Sequence, residues 1–268
     1  MPRQAEGRRF RLPVSGRMVA MLPPSGQEDL LLVEAGSDTA LSLALADRLM
    51  GAVDGEPFDW NHACVPDLDT FVVRLRQAML GDRIRADLAC PAVGCGRRID
   101  IDFSAEQYLM HHAESVQSVP DAGCVLADEP GWFDSHLPER VRFRLPTVAD
   151  QLAVAGLPDA DEALAKRCIQ PVDGSDGQRA TIESAMALLA PTLSDELQGT
   201  CPECGVVVPV FFDARWFCLR ELRQTAQFIY QDVDVLARRY HWSETEILAL
   251  PRTRRAAYAD LARQTGGA

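Results

Sequence analysis

Four residues could do metal chemistry together: Cys90 and Cys95 in "CPAVGCG", and Cys201 and Cys204 in "CPECG". Each pair has a proline after its first cysteine and a glycine after its second. Four residues separate the first pair and two the second, both within the 2–4 usual for zinc ligands. Proline and glycine suit a tight knuckle whose backbone N–H groups turn toward sulfur. Either pair alone is half a site. Brought together, they offer four thiolates for one tetrahedral structural zinc per chain. An iron–sulfur cluster could use the same ligands, and unliganded structural cysteines are the remaining reading. A redox Cys-x-x-Cys usually opens a helix after a strand, whereas glycine and a strand follow here. Cys64, Cys124, Cys168 and Cys218 are isolated and read as small buried hydrophobes.

Positioning two distant pairs needs a repeated scaffold, and the chain carries one. "ALADRLMGAVDG" (44–55) and "ALAKRCIQPVDG" (163–174) share Ala, Leu, Ala, Arg, Val, Asp and Gly without a gap. Upstream, "VAMLPPSGQEDLLLVEAG" (19–36) corresponds to "RFRLPTVADQLAVAG" (142–156). In both, a short strand leads through Leu-Pro to a capped helix. Ser25 with Glu28 and Thr147 with Asp150 read as capping boxes, and Gly36 and Gly156 as left-handed stops. Downstream, an amphipathic helix, a strand, the cysteine pair, a second strand and a further helix follow in each copy.

The expected fold is α+β: internally duplicated strand/helix units sharing a zinc-ribbon-like pair of knuckles, with a C-terminal helical extension. Residues 1–13 read as a basic tail, 14–115 as the first repeat with knuckle 90–95, and 116–137 as a linker. The second repeat is 138–214 with knuckle 201–204, and a helical arm fills 215–268. In that arm Leu219, Leu222, Ala226, Ile229, Val233, Leu236 and Tyr240 recur every three or four residues as a heptad seam. Two short helices in "HWSETEILALPRTRRAAYADL" are expected to fold back on it, with Ser243 and Glu246 as a capping box and Pro251 in the first turn of the last helix. Phe228, Val235, Trp242, Arg254, Arg255 and Tyr258 are the expected partner-binding residues, being apolar, aromatic or arginine groups on or beside the seam. Truncation before Gln231 is expected to leave the fold intact.

The 268-residue chain has ordinary globular composition and a net charge of −12. That charge argues against broad nucleic-acid binding. The arginines at 252, 254 and 255 keep a zinc-ribbon nucleic-acid-binding or regulatory protein as the alternative. No apolar run is long enough to span a membrane, and the N-terminal stretch has no apolar core like a secretory signal's, so a cytoplasmic protein is expected. No phosphate loop, nucleophile elbow or HExxH occurs, so neither an enzyme nor a small-molecule substrate is expected. His111 and His112 read as a solvated helix end, and Trp132 and Phe133 as part of a turn.

Four stretches carry a resemblance: "RLPVSGRMVAMLPPSGQEDLLL", "LRQAMLGDRIRADLACPAVGCGRRIDIDF", "VRFRLPTVADQLAV", and "CPECG" with "YHWSETEILALPRTRRAAYADL". In this order they resemble the baseplate hub assembly chaperones of T-even-like contractile phages and related contractile injection systems. The likeness spans most of the chain except the segment around 105–138. It implies a non-enzymatic protein with hub, spike or tape-measure partners, acting in the cytoplasm or carried into a tail-like particle. The zinc expectation rests on this sequence and not on the resemblance.

Overall fold

The computed structural model describes residues 7–52, 58–136, 141–171 and 175–265. The chain is α+β, and the duplication is legible element by element. The first copy runs β1 (Arg8–Arg11), β2 (Met18–Met21), α1 (Gly26–Glu34), α2 (Asp38–Leu49), β3 (Met50–Ala52), α3 (Val65–Leu80), β4 (Arg83–Ala89), β5 (Arg98–Ser104) and α4 (Ala105–Ser115). An additional strand, β6 (Cys124–Leu126), precedes the second copy. That copy then runs β7 (Trp132–Ser135), β8 (Arg142–Arg144), α5 (Val148–Val154), α6 (Ala160–Cys168), β9 (Ile169–Gln170), α7 (Asp176–Leu189), β10 (Ser194–Thr200), β11 (Val207–Asp213) and α8 (Ala214–Ala226). Three helices close the chain: α9 (Ile229–Tyr240), α10 (Glu244–Leu248) and α11 (Arg252–Thr265).

Two sequence assignments are corrected by this order. Part of the supposed basic tail is β1, which pairs antiparallel with β2 and buries Phe10. Part of the supposed linker is β6 and β7, which extend the sheet of β8 and β9. Antiparallel β1–β2–β3 is therefore answered by antiparallel β7–β8–β9, with Met21 opposite Met50 in one and Phe143 opposite Ile169 in the other. Trp132 and Phe133 lie in β7 rather than in a turn, and Phe133 stacks on Phe143 at 5.3 Å. Strand pairing wins because Phe143 is fully buried and needs cover on that face.

The capping boxes explain why each copy turns where it does. Ser25 and Thr147 each cap a helix, with Glu28 and Asp150 answering three residues on. Each carboxylate then takes an arginine from the matched Ala-Leu-Ala-x-Arg segment. Arg48 Nε donates to Glu28 at 3.1 Å, and Arg167 Nε donates to Asp150 at 2.8 Å. One buried acid thus satisfies a helix start and fixes the next helix against it. The Val-Asp-Gly end of the match lies outside the described residues. Gly156 adopts φ +80°, as expected of a helix stop, but Gly36 does not take up a left-handed conformation.

Burial by itself raises the Asp150 carboxyl, but Arg144, the Thr147 amide and Arg167 outweigh it and hold the group well below the ordinary range. A depressed acid stabilises the fold above its unfolded value, near pH 4, and loses that contribution as pH falls toward the folded value. Asp150→Asn should cost about 2–4 kcal/mol at neutral pH in urea unfolding. Below about pH 4 the gap between wild type and variant should close.

Contacts divide the chain into two units. One holds the described residues up to 11, 18–58 and 216 onward; the other holds 12–17 and 59–215. In the first, the C-terminal helices are built into the N-terminal strand–helix module rather than standing off as an arm. Asp29 is fully buried and ion-paired to Arg255, and Arg252 lies 3.7 Å from it. Arg255 also faces Asp232 at 3.3 Å, and Arg263 donates to Asp232 at 2.6 Å. Tyr230 donates to Glu34 at 2.9 Å, and Ser25 bridges to Pro251. Gly26 is required here, since a Cβ would lie 2.7 Å from an Arg255 nitrogen and 2.9 Å from Leu248 Cα. A truncation before Gln231 removes Asp232, Pro251, Arg252 and Arg255 and strands Asp29, contrary to the expectation of an intact fold.

In the second unit, a core of Cys124, Phe143, Cys168, Ile182 and Leu189 lies between the four-stranded sheet and its helices. Asp67 accepts the Val14 and Ser15 amides at 2.9 and 3.0 Å and ties the 12–17 turn to α3. The two ribbons, β4–β5 and β10–β11, carry the cysteine pairs.

Candidate metal centre

Each ribbon is an antiparallel ladder of seven residue pairs, Arg83–Ala89 against Arg98–Ser104 and Ser194–Thr200 against Val207–Asp213. The first cysteine of each knuckle closes its loop across the ribbon. The Cys90 amide donates to Arg97 at 2.7 Å, and the Cys201 amide donates to Val206 at 2.9 Å. The glycine after each second cysteine is left-handed, Gly96 at φ +58° and Gly205 at φ +72°, a conformation that side chains rarely tolerate. This lets the chain reverse immediately behind the sulfur.

The knuckles meet. Cys90 Sγ lies 3.7 Å from Cys204 Sγ, and Cys95 Sγ lies 3.9 Å from Cys201 Sγ. All four sulfurs fall within 4.8 Å of one another, and among the described residues no histidine or carboxylate joins them. A disulfide needs about 2.05 Å. A metal bound tetrahedrally at about 2.3 Å to sulfur sets its ligands about 3.8 Å apart, close to the 3.7 and 3.9 Å of these two pairs. Cys90 and Cys201 are buried, Cys95 is half-buried and Cys204 is exposed, so the centre sits at the rim of the unit.

The pattern is that of a local twofold. Cys90 is the counterpart of Cys201, and Cys95 of Cys204. The close pairs are therefore the two equivalent crossings, first cysteine to the other copy's second. Ile99 and Val208 hold matching ladder positions and share one cluster with Cys90 and Cys201. Phe103 and Phe212 also match, and their rings meet edge-on at 5.2 Å.

Electrostatics favour a cation here. The amides of Cys204 and Glu203 aim at the Cys201 sulfur and bring its thiol down to about 7. The Ala92 amide pulls Cys90 the same way, but burial and the neighbouring sulfurs prevail and push it up to about 12. Four thiols this close cannot all ionise without a positive charge among them. The donor set fits a thiophilic metal such as zinc, held by Cys90, Cys95, Cys201 and Cys204 with every tetrahedral position filled by protein.

No protein-family model, no curated protein and no solved structure matched the chain.

The partner-binding expectations fare differently. The periodic seam does not form one helix. It breaks at Gln227 and Phe228, where α9 begins without a side-chain cap. α10 and α11 do fold back, burying Leu236 with Ile247, Ala259 and Ala262. Val235, Trp242 and Tyr258 pack against this cluster; Trp242 stacks on Tyr240 at 4.9 Å and meets Tyr258 edge-on at 5.3 Å. Pro251 precedes α11 instead of lying in its first turn. Arg255 is corrected outright: its side chain is 4% exposed and committed to Asp29 and Asp232, so it offers nothing to a partner or a nucleic acid. Arg254 and Phe228 remain exposed.

The sequence reading missed one polar constellation. His112 is buried, not solvated, with Nε2 2.7 Å from Asp195, and Tyr108 donates to the same carboxylate at 3.0 Å. Tyr108 and His112 belong to the first copy and Asp195 to the second, so the trio is a further tie between copies. Its only sequence signal is the i, i+4 spacing of Tyr108 and His112 on α4.

Proposed function

We propose that the chain is a non-enzymatic assembly factor or structural component for the baseplate hub of a phage tail or contractile injection system, stabilised by one structural zinc. The observation that carries the reading is the four-sulfur centre itself. It joins two copies of one scaffold, and a metal held there has no position left for water or substrate. Such a metal fixes a shape and polarises nothing. The resemblance in "RLPVSGRMVAMLPPSGQEDLLL" and the three other stretches supplies the biological setting. No helix among the described residues is long and apolar enough to cross a membrane. The nucleic-acid alternative loses most of its support with Arg252 and Arg255 drawn into the Asp29 pairs.

The test is co-expression of the full chain with hub, spike and tape-measure proteins encoded beside it. A stable complex with one of these, retained at moderate salt, is the expected result. Binding only to DNA or RNA, with a steep loss as salt rises, would replace this reading by the nucleic-acid one.

A further inference from the structure

The duplication lets one copy be compared with the other, and α2 and α6 hold the same place in each. α2 buries Leu41, Ser42, Leu45, Ala46 and Leu49, whereas α6 buries only Cys168. The counterparts of Leu45 and Ala46 are Leu164 and Ala165, both half-buried, and the counterpart of Ser42 is Asp161, which is exposed. The first copy's α1 and α2 lie in one unit with the C-terminal helices. There Arg223 on α8 donates to Asp38 at the head of α2 at 2.6 Å, and α8 buries Leu219, Leu222 and Ala226. In the second copy the matching apolar residues are only half-buried. Its helices instead border a cavity of about 590 Å³ walled by Leu145, Leu164, Ala165, Ile169 and Met186. The rim is acidic. Asp161 and Glu183 line it, and its arginine, Arg179, is already shared between Glu162 and Glu183.

We propose that this cavity seats an amphipathic helix of a protein partner, with an apolar stripe and a flanking arginine or lysine, the charge pairing that Arg223 of α8 makes with Asp38 of α2. Three observations converge. Matching positions are covered in one copy and open in the other. The walls are apolar, and the volume lies in the range of true binding pockets, about 300–1,000 Å³. The excess negative charge at the rim mirrors the Asp38 that takes Arg223. Helices recognised in grooves dock residues spaced three and four apart, which is the spacing of Leu219, Leu222 and Ala226. The proposal deepens the assembly-factor reading and rests on it for the partner being a protein.

The probe is a fluorescein-labelled synthetic peptide of residues 214–227 carrying C218A, titrated with the full-length protein and followed by anisotropy. Saturable binding with Kd on the order of 10–100 μM is expected. Asp161→Arg, at an exposed position that leaves folding alone, should weaken it by about fivefold or more. Ala165→Trp should fill the cavity and abolish it, with circular dichroism confirming the fold. Absence of saturation overturns the proposal. So does equal binding by both variants, which would show exchange with the chain's own α8. Palmitate binding in place of the peptide would make the cavity a small-molecule site and overturn it too. None of these outcomes depends on tail proteins, so failure here leaves the co-expression test of function standing.

Discussion

Cys201→Ser will destabilise both ribbons at once and empty the metal centre. The Cys204 and Glu203 amides bring the Cys201 thiol down to about 7, and Cys201 is among the most buried of the four. Structural zinc contributes about 10–16 kcal/mol apparent in small peptides. Here part of that is offset by joining knuckles far apart in the chain, a cost that grows only slowly with separation. A net loss of about 4–6 kcal/mol is expected, or a fall in Tm on the order of 10–20 °C. The decisive feature is where protection disappears. Hydrogen exchange should accelerate in β4–β5 as well as β10–β11, although the substitution touches only one knuckle. Cys168→Ala serves as the control, being a buried cysteine in a separate core. It should lose no metal and leave the ribbons protected. If Cys201→Ser exposes β10–β11 alone, the knuckles are independent and the shared centre is wrong.

Asp29→Ala is expected to be the most damaging substitution outside the metal centre, costing about 3–5 kcal/mol. Asp29 is buried, and its burial pushes the carboxyl upward even though Arg252 and Arg255 pull it down. Removing it leaves Arg255 charged and enclosed, with Asp232 shared between that arginine and Arg263. A buried pair broken on one side costs far more than the pair contributes. The double variant Asp29→Leu with Arg255→Met should therefore recover part of the loss, because the enclosed Arg255 charge goes with its partner and only the less buried Arg252 loses its acid. Urea unfolding of wild type, Asp29→Leu, Arg255→Met and the double variant provides the cycle. Additive losses in the double variant would show that the two residues act separately, contrary to the geometry.

The cysteine spacing, the capping boxes and the strands flanking each knuckle were legible in the sequence, because each depends on residues within a few positions. Leu-Pro followed by a hydroxyl residue and an acid three places on states a strand, a turn and a helix start in one short phrase. What escaped reading depended on distance. Arg255 resembles a surface hot spot until Asp29, 226 residues away in the chain, is placed beside it. β1 and β7 looked like a tail and a linker because four-residue strands flanked by charge declare themselves only when their partners are known. The break at Gln227–Phe228 left no mark, since neither residue is a helix breaker and the apolar spacing runs straight across it. His112 looked solvated because Asp195, which holds it, belongs to the other copy.

The single shared metal is the claim on which the reading of the duplicated scaffold turns, and counting metal tests it directly. Full-length protein, purified without added metal, should show one zinc per chain by native mass spectrometry and elemental analysis. Cys90→Ser and Cys201→Ser, one from each copy, should each reduce that to none. Two zincs per chain, none at all, or iron accompanied by inorganic sulfide would contradict it.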